Sequence, residues 1–239
     1  LKKQTLALLF LLLSTVCFGQ ANYYKFSLGL GFGPTITYAD LQEKLHSYGG
    51  YGEVLYNFSP FITAGVEFQT GELKGGDVIT DKDNRAFINR YQAFSVNSTL
   101  ALGQFIDHGR NTFLGIVKGA YVGLGVGTIS NDMTFIVRYK PNTQAAYPPL
   151  GYEFPGDEKS TSILVPIQLG LNFYLKNNYG DQRFVINVNY KANFTFGEGL
   201  DGYNDPMGLF KNNAPDFYTL LSLGFKYNFG PSRYSTKIF

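Results

Sequence analysis

Polar and apolar residues alternate one by one along most of this chain, and a period of two admits strands and little else. Residues 183–197 are the plainest run. Phe184, Ile186, Val188, Tyr190, Ala192, Phe194 and Phe196 fall on one face, against Asn187, Asn189, Lys191, Asn193 and Thr195 on the other. Residues 215–230 repeat the pattern, with Phe217, Leu221, Leu223, Phe225, Tyr227 and Phe229 set against Ser222, Gly224, Lys226 and Asn228. Residues 162–175 and 24–33 do the same. Residues 50–58, 61–72 and 89–104 alternate less cleanly. Residues 113–125 are ambiguous: Leu114, Ile116, Ala120, Val122 and Leu124 share a face with Lys118, so their register stays open. The total is about eight strands.

The connections carry a second signal. Ser59-Pro60 is a two-residue turn, and residues 106–111 and 176–182 are short and rich in Asn, Asp and Gly, the residues that turns favour. Residues 34–49, 73–88, 128–161 and 198–214 are longer. Short turns at one end and long loops at the other is the layout of outer-membrane barrels. An even strand number returns both chain ends to the short-turn, periplasmic side.

Alternation alone does not say which face is inside. The apolar faces run close to the 9–11 residues that a strand needs to cross a bilayer, and they carry few charges. The polar faces mix Gly, Asn, Ser and Thr with isolated charges of both signs. This favours apolar outward, polar inward. A lumen of about eight strands is filled by side chains, so Lys25, Glu53, Glu67, Lys191 and Lys226 are expected inside as a charge network that plugs it. The expected fold class is therefore all-β: a closed antiparallel up-and-down transmembrane β-barrel.

Composition agrees. The chain has 22 Phe, 18 Tyr and 28 Gly and no Trp. Aromatics suit pleated surfaces, and Gly suits turns and crowded interiors. Lys2-Lys3 and the apolar run from Thr5 to Val16 read as a signal peptide cleaved near Gly19 or Gln20. Expected domains are the signal peptide over 1–20, the barrel over 21–230 and a short periplasmic tail over 231–239. Without Lys2 and Lys3, eighteen basic residues face eighteen acidic ones. A neutral mature chain lacks the clustered cations of a nucleic-acid binder. Cys17 is the only cysteine, so the mature chain has no disulfide and no thiol nucleophile.

Ser222, Gly224, Tyr227 and Phe229 fit the spacing polar, any, Gly, any, any, aromatic, any, aromatic. This resembles the C-terminal insertion signal that barrel assembly machinery reads, although here a nine-residue tail, residues 231–239, lies beyond it. With the leader and the strand layout, residues 22–230 resemble the outer-membrane β-barrel family, the small eight-stranded OmpA-like type. The resemblance implies a barrel in the outer membrane of a Gram-negative-type bacterium. Its expected partners are outer-membrane lipid, the assembly machinery, and an extracellular ligand or envelope protein. The family includes structural, adhesive and secretion-associated members and a few enzymes, so it does not select a role.

Chemistry is sparse. Gly29 to Gly33 and Gly123 to Gly127 look like nucleotide loops but lack the strand–turn–helix setting; they read as strand glycines in a crowded lumen. His46, near Asp40, Glu43 and Ser47, offers the parts of a rim hydrolase, or its loop 40–45 forms an exposed helical turn. His108 beside Asp107 reads as a solvated turn residue. Asp77, Asp81, Asp83 and Asn84 suggest calcium but lack the Gly and final Glu of a cation loop. No catalytic, metal or cofactor site is expected. Phe135, Arg138, Tyr139, Tyr147, Tyr152 and Phe154, in the third long loop, are the candidate contact surface; partner binding and mutual packing both stay open. The leading expectation is a non-enzymatic structural or surface-binding barrel. The alternatives are a rim hydrolase or acyl-modifying enzyme, a soluble periplasmic ligand-binding barrel, and a passive channel.

Overall fold

Strands that each bury one polar face need a closed surface to bury it in, and this chain closes one. The computed structural model describes residues 21–39, 41, 43–81, 84–106, 112–140, 149–175, 182–197, 199–204 and 216–235. Eight antiparallel strands follow one another around a closed barrel in chain order. They are β1 (Ala21–Tyr38), β2 (His46–Ser59), β3 (Ile62–Gly76), β4 (Ala86–Ala101), β5 (Ala120–Ile136), β6 (Lys159–Leu175), β7 (Phe184–Phe196) and β8 (Phe217–Ser235). β1 pairs with β8 and closes the ring.

The strand register fixes the shear. From Leu171 on β6 the paired residues run through Val188, Leu223, Phe32, Gly50, Thr70, Gln92 and Ser130, and return to β6 at Thr161. Positions 171 and 161 differ by ten residues, so the shear is ten. With eight strands this tilts each strand by roughly 40° to the axis. Each strand crossed along the hydrogen bonds then climbs by about 1.25 residues.

The two faces separate as the alternation expects. Leu30 and Leu223 are each 64% exposed on the outside, whereas Lys191, Asn187 and Asn193 are fully buried inside. Aromatic residues ring both margins of the apolar belt. At the end holding the chain termini, Phe26 packs against Tyr56 and Phe229, and Phe184 against Tyr227. At the other end Phe217 stacks between Tyr38 and Phe194. From Phe229 to Phe217 the tilted β8 rises about 30 Å along the barrel axis, enough to contain the apolar band of a transmembrane barrel, about 25 Å tall. Two hydroxyls on the outer face fold back onto the backbone. Ser98 donates to the Thr63 carbonyl at 3.1 Å and Thr70 to the Tyr91 carbonyl at 3.2 Å. Hydrocarbon offers such groups no other partner.

Several expectations are corrected. Residues 112–117 are not strand: Thr112–Val117 form a short helix, α1, after a 3₁₀ turn at Leu102–Gln104. β5 begins only at Ala120, which resolves its register, with Val122 and Leu124 outside and Tyr121 inside. Lys118 leaves the lipid face and is buried. The connection between β4 and β5 therefore spans residues 102–119 and is not short, so the ends differ less in loop length than the turn residues suggest. At the opposite end the strands run further than expected. At the end holding the termini, β8 continues to Ser235, inside the segment read as a tail. Residues 41 and 43–45 are not helical; Lys44 bridges to Gly75 and the Gly76 N–H donates to Glu43. The leader with Cys17, and Asp40, Asp83, Asp107, His108 and Tyr147, lie outside the described residues.

Candidate functional site

The interior is a filled column whose polar side chains bond to one another. Near the end that holds the termini, the Lys226 ammonium lies 2.8 Å from the Glu53 carboxylate. Asn187, fully buried, then links two tyrosines: its amide donates to the Tyr121 hydroxyl at 3.0 Å, and its carbonyl accepts from Tyr51 at 3.2 Å. Further along, Lys191 on β7 bonds both carboxylate oxygens of Glu67 on β3, across the lumen. Its ammonium also lies 4.9 Å from the centre of the Tyr51 ring. Gln69 donates to Glu67 at 2.6 Å and accepts from the Tyr218 hydroxyl at 3.3 Å. Tyr218 packs on Tyr91, ring centres 4.9 Å apart.

Glycine makes room for these rings. A Cβ on Gly31 would lie 2.3 Å from the Tyr51 ring, and one on Gly224 would lie 2.7 Å from the Tyr51 hydroxyl. Any side chain at either position would collide with that tyrosine. Four of the five charges expected in the lumen thus meet as two separate pairs. Lys25 does not join them. It is half-buried beside the irregularity between Tyr24 and Phe26, and it makes no ion pair among the described residues. A small cavity of about 50 Å³ remains at that end, lined in part by Tyr24, Asn57, Gln182 and Lys226.

Above the polar column the mouth is closed by apolar side chains from loops. Leu41, Phe154, Leu200 and Tyr203 descend onto Leu73, Phe87, Met133 and Tyr218 in one buried cluster. The Tyr203 hydroxyl lies 3.2 Å from the Ala86 carbonyl and 3.0 Å from the Val137 carbonyl. Burial pushes its ionisation upward, so it stays a donor. The guanidinium of buried Arg85 sits 5.0 Å from the Tyr203 ring centre. Arg138 reaches the Gly202 carbonyl at 2.7 Å.

The third-loop residues therefore divide. Phe154 is 1% exposed and belongs to the seal. Tyr152 is half-buried and meets Phe154 edge-on. Arg138 ties the third loop to the fourth. Among the described third-loop residues, Phe135 and Tyr139 present open rings, at 48% and 59% exposure. Leu200 and Tyr203 carry no mark of the seal in the sequence, because loop residues follow no period.

His46 finds no serine. It opens β2 and points outward, whereas the next residue, Ser47, is buried. Successive strand residues face opposite sides, so the two side chains diverge. The Asp77 carboxylate accepts the backbone N–H groups of Ile79 at 2.8 Å and Thr80 at 3.0 Å, capping a turn. Asp81 is buried and accepts from the Arg85 backbone N–H. No group of three metal-ligating side chains forms among the described residues. The insertion-signal residues fall on both faces: Ser222 and Gly224 line the lumen, while Phe229 and Tyr227 belong to the aromatic ring near the termini.

No family model and no curated protein matches the chain. Solved structures do. Neisserial surface protein A is 11% identical over 86% of this chain and 97% of its own, with a TM-score of 0.47. Ail, the attachment invasion locus protein of Yersinia pestis, in complex with the heparin analogue sucrose octasulfate, is 12% identical over 85% and 97%, at 0.44. The outer membrane protein OprG of Pseudomonas aeruginosa is 10% identical over 87% and 98%, at 0.41. The chain is a closed, antiparallel, eight-stranded β-barrel. At such identities the likeness concerns layout alone, and the barrel's own surfaces must carry any argument about its role. Those surfaces place apolar side chains outside and polar ones inside. A soluble barrel built around an apolar ligand cavity has the reverse arrangement.

Proposed function

We propose that this chain is an integral outer-membrane protein, exported through its N-terminal leader, whose barrel is a closed scaffold without enzymatic activity. Its role is structural or surface-binding and is carried by the extracellular loops. The observation that carries this reading is the sealed interior: two buried ion pairs, packed tyrosines and a loop-borne apolar cap leave no continuous passage among the described residues. What such a barrel offers to the outside is its loop surface, where Phe135, Tyr139, Ile79 and Leu150 are exposed. Its partners on this reading are the lipid around the belt, the assembly machinery that reads Ser222, Gly224, Tyr227 and Phe229, and an extracellular ligand or envelope protein met by Phe135 and Tyr139.

Cell fractionation followed by gel migration with and without boiling tests the reading. Recovery in the outer membrane, with mobility that changes on boiling, is expected. Release with the soluble periplasmic proteins would sink it.

A further inference from the structure

We propose that the cavity at the end of the barrel holding the chain termini binds a primary carboxamide, the side-chain tip of an Asn or Gln on a periplasmic peptide, and that the Gln182 side chain is its hydrogen-bonding partner. The inference rests on the membrane placement proposed above, which sets the side from which the peptide comes.

Gln182 stands two residues before β7 and is 5% exposed. Its side chain lines the cavity, and neither its oxygen nor its nitrogen finds a hydrogen-bond partner among the described residues. Buried amides are rarely left unpaired, because they have given up their bonds to water. The backbone here is held from β8. The Asn228 side chain donates to the Gln182 carbonyl at 2.7 Å, and the Asn228 N–H donates to the Arg183 carbonyl at 2.7 Å.

Other polar side chains of the wall are engaged within it. Asn57 donates to the Tyr24 carbonyl at 2.7 Å and to the Ser27 hydroxyl at 2.9 Å. Ser27 donates to Asn228 at 2.7 Å, and Thr63 and Thr99 bond each other at 2.7 Å. Lys226 carries a charge, but Glu53 lies 2.8 Å from its ammonium. A carboxylate entering beside Lys226 would also meet the Glu53 carboxylate. What the wall offers is a neutral carboxamide, with donor and acceptor side by side.

Its complement is a second group of the same kind. A primary carboxamide presents an N–H and a C=O on one edge, so two of them close a pair of hydrogen bonds. The secondary amide of an acetylated sugar or a peptide backbone holds its N–H and C=O on opposite edges and closes only one. Size agrees. At about 10–15 Å³ for each water-sized group, the cavity of about 50 Å³ takes roughly four non-hydrogen atoms, as many as a terminal carboxamide with its methylene. Leu55 and Val185 in the wall suit that methylene. Tyr23, Tyr24, Asn57 and Asn228 are half-buried, so the cavity opens toward the aqueous side of this end.

The test uses the full chain, nitrogen-15 labelled and folded in detergent micelles, with three probes. These are N-acetylglutamine N-methylamide, N-acetylglutamate N-methylamide and N-acetylglucosamine. The caps leave the glutamine side chain as the sole primary carboxamide. Nuclear magnetic resonance follows the side-chain amide signals of Gln182, Asn57 and Asn228. The glutamine probe should shift the Gln182 signals saturably and bind at least fivefold tighter than the other two. Gln182→Met keeps the length without donor or acceptor and should abolish that preference, read at Asn57 and Asn228. Gln182→Asn should recover part of it. A shift that does not saturate overturns the inference, and so does a preference that survives in Gln182→Met. Tighter binding of the glutamate probe would assign the site to Lys226 and an anion, and tighter binding of the sugar would assign it to a glycan; either overturns it. Boiling-dependent gel mobility, measured on every sample, separates the two readings. Its loss in the unmodified chain counts against the membrane barrel, whereas intact mobility without a Gln182-dependent preference counts against this inference alone.

Discussion

Lys191 and Glu67 carry the clearest energetic consequence of the fold, because neither side chain touches water. Both charges have been taken out of solvent, and each compensates the other. Removing one partner leaves the other buried and uncompensated, which costs more than the pair contributes. Lys191→Met should therefore destabilise the barrel by about 3–5 kcal/mol. Adding Glu67→Gln should recover much of that loss, since a neutral amide can keep the hydrogen bond with Gln69. Urea unfolding of vesicle-inserted protein, followed by the gel-mobility change, measures both variants. Equal stability of Lys191→Met and the parent would show that water reaches Glu67. The sequence exposed these two positions because a lone charge on an alternating strand points inward wherever its neighbours face lipid. It did not expose Tyr51, Tyr91 and Tyr121, whose rings fill the same space. An aromatic residue suits either face of a strand, and only the opposing glycines, paired across the sheet, mark which face it takes.

At the scale of the element, strands were legible wherever lipid and lumen imposed opposite demands on neighbouring residues. The legibility ends where that demand ends. Leu114 and Ile116 keep a spacing of two, yet they sit in the helix α1 beyond the end of the belt, where no bilayer enforces the alternation. The loops over the mouth were equally opaque: Phe154 and Leu200 are buried by packing that no local pattern announces. Turn chemistry was visible as residue type and misleading as to purpose. Asp77 reads as a cation ligand from its spacing to Asp81, but its carboxylate serves the turn. The backbone N–H groups of Thr80 and Ile79 hold that carboxyl below its ordinary value. A group whose pKa falls on folding adds stability above its unfolded pKa, and that stability is lost as pH falls through the folded one. The turn should accordingly be ordered at neutral pH and loosen only under acid. The amide resonances of Ile79 and Thr80, followed from pH 7 to 2, should shift with a midpoint below the ordinary carboxylate value of about 3.9. Asp77→Asn should abolish that titration.

For the whole molecule, the question is which layer closes the barrel. Two barriers lie in series: the apolar seal of Phe154, Leu200 and Tyr203 at the mouth, and the polar column beneath it. They differ in what supports them. The seal hangs from loops that can be pruned one residue at a time. The column is built from strand residues whose hydrogen bonds cross the lumen, as Lys191 to Glu67 and Tyr51 to Asn187 do. A barrel of eight strands leaves an interior just wide enough for side chains to fill. Opening the mouth therefore exposes the top of a plugged shaft. Phe154→Ala combined with Tyr203→Ala should speed proteolysis of the loops without raising ion conductance across a planar bilayer above that of the parent, itself near baseline. Steady conductance in the double variant would place the barrier in the loops and turn the barrel into a gated pore. Absence of conductance with faster cleavage would place it in the column, where Tyr51 packs against both Gly31 and Gly224.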